Sequence, residues 1–194
     1  MADHDKTAST TMRRQRAVAP VAAVASLILL ASGCGGPQVN YALPKDLCGI
    51  PIHQDLIRPF FPPGDRIEFD GDSFLEGKKA EASCQYYVDG NTALAIDATR
   101  SSEQDTALQL AMRVAKPAHL KVWKRADGHI AGYAGTVYGT SSCSGDPSDS
   151  DGQPARTFTL RVSANHVGNT QSARSGLEKV MSALLPRAAH ARGC

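Results

Sequence analysis

Residues 84–99 read CQYYVDGNTALAIDAT, and this stretch decides the fold class. Asp89-Gly90-Asn91 is turn chemistry between two runs, 85–88 and 92–99. Asp, Gly and Asn tolerate the left-handed backbone that a tight hairpin turn demands. After the turn, Leu94, Ile96 and Ala98 alternate with Ala95, Asp97 and Thr99, the period of a strand with one buried face. A second alternation spans 156–163, with Phe158, Leu160 and Val162 inward. Each strand is followed by helical spacing. Ser102-Glu103-Gln104-Asp105 resembles a capping box, and Leu108, Ala111, Met112 and Ala115 then share one helix face ahead of Pro117. Leu177, Val180, Met181, Leu184 and Leu185 define the last helix, which Pro186 is expected to stop. The pattern predicts an α+β fold: an antiparallel or mixed sheet with two main helices packed on one face, stapled by two disulfides.

Weaker signals fill in around this frame. Residues 51–57 predict one or two helical turns with Pro51 at the first position, ended by Pro59 and the Pro62-Pro63-Gly64 run. Residues 64–83 read as polar and irregular. Short strands are expected at 121–124 and within 129–140, and a loop at 144–154.

The chain has 194 residues, a formal charge of +2 and five cysteines. So small a charge speaks against nucleic acid as a partner, and 42% hydrophobic residues speaks against disorder. The charge and the odd cysteine both trace to the start. Arg13, Arg14 and Arg16 precede the uncharged stretch Ala17 to Ser32, the anatomy of a signal peptide. At 16 residues the stretch is short of the roughly 20 that span a membrane. Met12 is an alternative initiator, and Arg13-Arg14 is a weak twin-arginine signal because Arg16 stands where an apolar residue is expected.

Leu30-Ala31-Ser32-Gly33-Cys34 resembles the lipobox of bacterial lipoproteins. That resemblance implies cleavage before Cys34 and diacylglyceryl transfer to its thiol, although Ala31 stands where Leu is usual. An unlipidated signal peptide is the alternative. The expected organisation is 1–33 signal peptide, 34–47 acylated terminus and tether, and 48–194 a single extracytoplasmic domain. Removing 33 of 194 residues leaves 161, and that chain is formally neutral.

Cys48, Cys84, Cys143 and Cys194 then form an even set in an oxidising compartment. Four cysteines allow three pairings. The favoured one is Cys48–Cys84 with Cys143–Cys194, since each bond closes one half of the chain. The second would pin the tail at 186–193 against fraying. No closely spaced ligand pair suggests a metal, and no cofactor is expected. G-x-S-x-G, S-x-x-K, H-E-x-x-H and H-x-E motifs are missing. His53, His119, His129, His166 and His190 are scattered, and Asp146 to Gly152 lacks the acids of a calcium loop at the required spacing. Phe60-Phe61 reads as a plug at the end of a core, with docking on a partner or in the headgroup layer the alternative. Trp123 with Lys121, Lys124 and Arg125 reads as a polar strand edge, with contact to anionic lipid the alternative.

Together the lipobox, Asp46-Leu47-Cys48, Ser83-Cys84-Gln85-Tyr86, the paired strand and helix, and the Leu184-Leu185-Pro186 ending resemble a family of small lipoproteins of unknown function from Streptomyces and related actinobacteria. Many relatives carry Trp where this chain has Tyr86. The resemblance implies an α+β domain on the outer face of the cytoplasmic membrane and supplies no catalytic residues. The expected partners are the bilayer, through acylated Cys34, and an envelope protein or small ligand. The expected role is a binding or accessory module; the alternative is an envelope hydrolase whose site is dispersed in sequence.

Overall fold

The computed structural model describes residues 38–76, 79–144 and 148–194. Cys34 and the leader, with the readings that fall on them, lie outside the described residues. Gly35–Cys194 forms one compact unit with its own core.

In chain order the elements are β1 (Asp46–Leu47), β2 (Ile50–Pro51), α1 (Gln54–Ile57) continued by a 3-10 turn (Arg58–Phe60), β3 (Ile67–Gly71), β4 (Glu81–Val88), β5 (Asn91–Ser101), α2 (Ala107–Ala115), β6 (Trp123–Lys124), β7 (Ile130–Tyr133), β8 (Thr136–Ser142), β9 (Thr157–Ala164) and α3 (Gln171–Ala191). β3 to β9 form one seven-stranded sheet in the order β3-β4-β5-β9-β8-β7-β6, with every pair antiparallel. Two meanders, β3-β4-β5 and β6-β7-β8-β9, thus meet at the β5–β9 seam.

The hairpin that the sequence announces is β4–β5. Asp89 and Gly90 both have positive φ, 50° and 78°, as a two-residue turn between twisted strands requires. A bulge at Tyr86/Tyr87 shifts the register once. Register then places Cys84, Ile96, Val162 and Val137 across one sheet face, where all four are buried.

Two layers cover that face. α3 lays Leu177, Val180, Met181, Leu184 and Leu185 on it, and a Cβ at Gly139 would stand 2.5 Å from the Met181 sulfur, so a larger residue there would make Met181 and Leu185 shift. Leu43, Leu47, Ile50, Ile57, Phe60 and Phe74 close the rest of the core. Phe60 and Phe61 are therefore core residues, as expected. The stretch read as a tether is structured from its middle onward. The Asn40 N–H donates to the Gly64 carbonyl at 2.8 Å, and Leu43 and Leu47 are buried. Its apolar side chains have a core to enter, which a free linker would not.

α2 lies on the opposite face, so the two main helices do not share one. Strand alternation makes this unambiguous. Ile130 and Val137 join the α3 core, while their neighbours Ala131 and Tyr138 pack with Ala107 and Ala111. Small alanines bring α2 close to the sheet. The helix starts at Thr106, four residues after the expected Ser102, because Thr106 and Gln109 cap reciprocally: Thr106 N–H donates to Gln109 Oε1 at 2.8 Å and Gln109 N–H to Thr106 Oγ1 at 3.2 Å.

Three further expectations change. Residues 67–71 form edge strand β3. Pro51 pairs with Asp46 in β2 and does not start a helix. Pro186 lies inside α3. Its ring removes the bond to the Ser182 carbonyl, but both residues are exposed, so water can serve that group. Leu185, Ala188 and Ala189 keep the helix on the sheet beyond it.

Both disulfides are present as favoured, Cys48–Cys84 and Cys143–Cys194. Cys48 occupies the β1–β2 turn with Gly49, at φ 51° and 82°. Its N–H donates to the buried Tyr86 hydroxyl at 3.0 Å, and that hydroxyl donates to the Asp46 carbonyl at 3.2 Å. One bond and one phenol therefore fasten the β1–β2 hairpin to β4.

Candidate functional site: the two flanks of α2

α2 spans only β7 and β8, so the outer faces of β4, β5 and β9 remain open. Along its inner flank runs a polar groove of about 330 Å³. Asp97 on β5 and Arg161 on β9 are register partners and pair at 3.3 Å. Arg113 on α2 pairs with Asp105 at 2.7 Å and lies 3.8 Å from Glu103. Thr99, Thr157 and Thr159 add hydroxyls from the two central strands.

Tyr138 forms part of the floor. Burial pushes its phenol up to about 12, Tyr133 adds in the same direction and Arg161 opposes, so the hydroxyl is a neutral donor at ordinary pH. The acids and bases here are already matched to one another, Asp97 with Arg161 across two strands and Arg113 of α2 with the acids just before that helix. Such an arrangement can orient a polar ligand by exchanging hydrogen bonds, a different task from holding a lone acid ready for proton transfer.

Along the outer flank lies a second groove of about 680 Å³, lined by Leu108, Met112, Leu120, Val122 and Trp123 with Lys116, His119 and Lys124. Met112 is 46% and Leu120 39% exposed. Trp123 is nearly buried, with the Arg174 guanidinium 4.7 Å from its ring centroid. Lys116, Lys121 and Lys124 are exposed, and no ion pair holds them among the described residues. A third depression, about 790 Å³, separates α1 from the first turns of α3.

Among the described residues no group of His, Cys, Asp or Glu is arranged to hold a metal ion, and no helix is long and apolar enough to cross a membrane. The histidines stay apart in the chain's layout: His53 precedes α1, His119 lines the outer groove, His129 precedes β7, His166 follows β9 and His190 is near the end of α3. In the 144–154 loop, Asp149 accepts from the N–H groups of Ser102, Asp151 and Gln153 at 3.2, 3.0 and 2.8 Å. These bonds, with the Ser102 hydroxyl first, hold its carboxyl below the usual range. That carboxylate ties its own loop to Ser102 at the end of β5.

Sequence reading named Trp123, Lys121 and Lys124 but placed Met112 on the inner face of α2. It missed the Asp97–Arg161 pair, because the two residues meet only through the β5–β9 seam. Compared with known proteins, the chain matches no family model, no curated protein and no solved structure.

Proposed function

We propose that this chain is a lipid-anchored binding module on the outer face of the cytoplasmic membrane. It holds a polar ligand or a polar segment of an envelope protein in the groove between α2 and the open faces of β5 and β9. The observation that carries the reading is that groove. A rigid sheet leaves half of one face uncovered, and the uncovered half presents paired charges and hydroxyls where helix packing elsewhere presents alanine. The anchor comes from the sequence, through Cys34 and the small residues before it. Chain folded from Gln38 onward would leave only about 14 Å of reach between the acylated cysteine and the domain.

Two experiments test the reading. A photo-crosslinker at Thr159 in intact cells should capture a defined species, and Arg161→Ala should lower that capture about tenfold, the scale of one charge-assisted hydrogen bond. Capture that ignores Arg161 would remove the groove from the function. Turnover of an envelope substrate that disappears in Asp97→Asn would replace the binding module with the hydrolase reading. Independently, intact mass should show loss of residues 1–33 with a diacylglyceryl adduct, and a fatty-acid label should vanish in Cys34→Ser. A label that persists in that variant overturns the anchor.

A further inference from the structure

The outer groove of α2 and the point where the chain enters the fold lie at the same end of the sheet. Val39 bridges to Gly64 just before β3, beside the β4–β5 turn, and Asp89 of that turn accepts from the Asp65 N–H. The registers carry this end across the sheet, through Ala164 at the close of β9 and the β7–β8 turn, to Trp123 at the start of β6. α2 also descends to this end, since it starts after the close of β5 and finishes before β6. Entry point and groove therefore sit by the two border strands at this end of the twisted sheet, at most about 29 Å apart over six strand spacings.

We propose that this end is a membrane-contacting surface: Met112, Leu120 and Val122 enter the headgroup layer of an anionic bilayer while Lys116, Lys121 and Lys124 bind its phosphates. The match lies in the side chains, because exposed Met112 and Leu120 beside half-buried Val122, flanked by cations, fit an interface that is apolar below and anionic above. The location of the membrane rests on the lipid-anchor reading. With the acyl chains supplying affinity by one border strand, the groove by the other sets orientation, and the polar groove inside α2 is then held facing along the membrane.

Trp123 is the chain's single tryptophan and lines the groove, so it reports contact directly. The compact unit Gly35–Cys194, free of any acyl group, is mixed with vesicles carrying spin-labelled lipid quenchers. Phosphatidylglycerol-containing vesicles should bind it and quench Trp123, while pure phosphatidylcholine vesicles should do neither. The triple reversal Lys116→Glu, Lys121→Glu, Lys124→Glu should weaken partitioning at least about 100-fold, taking about fivefold for each cation removed. These side chains are exposed, so an unchanged melting curve verifies the fold. Leu120→Ser should retain part of the binding and lose most of the quenching. Absence of binding to the anionic vesicles, binding without quenching, or a groove that takes an acidic peptide in place of vesicles would each overturn the proposal. Absence of a fatty-acid label from the unsubstituted chain, with vesicle binding intact, would sink the anchor alone.

Discussion

The Tyr86 hydroxyl does two jobs within one hydrogen-bonded step, accepting from Cys48 and donating to Asp46. Cys48 is fully buried, so Tyr86→Phe strands its N–H away from water. Chemical denaturation should show a loss of about 1–3 kcal/mol. Burial pushes the Tyr86 phenol from 10.0 up to about 12, with the Asp46 charge adding and the Cys48 N–H opposing. A phenol whose pKa rises on folding contributes its full stability below the unfolded value and loses it as pH climbs through the folded one. Stability should therefore fall between pH 10 and about 12, and Tyr86→Phe should flatten that decline, as read from melts taken across the alkaline range. Tyr138 contributes a parallel decline, so the flattening is partial. The surroundings of Tyr86 were not legible in the sequence, since it meets residues 38 and 40 positions away.

Elements were legible in proportion to how much of their own signal they carry. Alternation announced β5 and β9, whereas β4 was marked only over 85–88, beside the turn, and its first residues Glu81 to Ser83 read as part of an irregular stretch. β3 has one strand neighbour and leaves Phe69 51% exposed; an edge strand of this kind gives no periodic signal. Pro186 misled because its lost bond falls on the exposed side of α3, where water can serve the Ser182 carbonyl, while Leu185, Ala188 and Ala189 hold the helix on the sheet beyond it. The start of α2 was misplaced because two plausible cap sequences stand four residues apart, and the reciprocal Thr106–Gln109 bonds decide between them. Thr106→Ala should destabilise by about 1 kcal/mol. Amide exchange should accelerate in the first turn of α2, at Leu108 to Leu110, with β4 and β5 unaffected.

At the scale of the molecule, cysteine parity and position pointed to both disulfides before any contact was known. The face of α2 was another matter. Alanine at 107, 111 and 115 marks a helix that is close to something, and nothing in its own sequence says which side of the sheet. Both grooves follow from that choice of side, so they were illegible too. Each disulfide closes a long loop, with separations of 36 and 51 residues, worth about 4 kcal/mol in the chain-entropy treatment. Replacing Cys143 and Cys194 together by Ser should lower stability by up to that amount. The final turns of α3 beyond Pro186 should then exchange amide protons faster than Leu177 to Met181.

The seam between the two meanders also fixes an order of events. Within β3-β4-β5 the partners are near in sequence, and Cys48–Cys84 can lock that half early. The β5–β9 pairing joins Leu94 to Ala164 and Ser101 to Thr157, distances of 70 (164 − 94) and 56 (157 − 101) residues along the chain. High contact order of this kind makes closure slow. Until β9 and α3 arrive, that half has an uncovered core face and the unpaired edge of its longest strand open to any passing copy. The interval between closure of the β4–β5 hairpin and docking of β9 is the period in which self-association competes with folding.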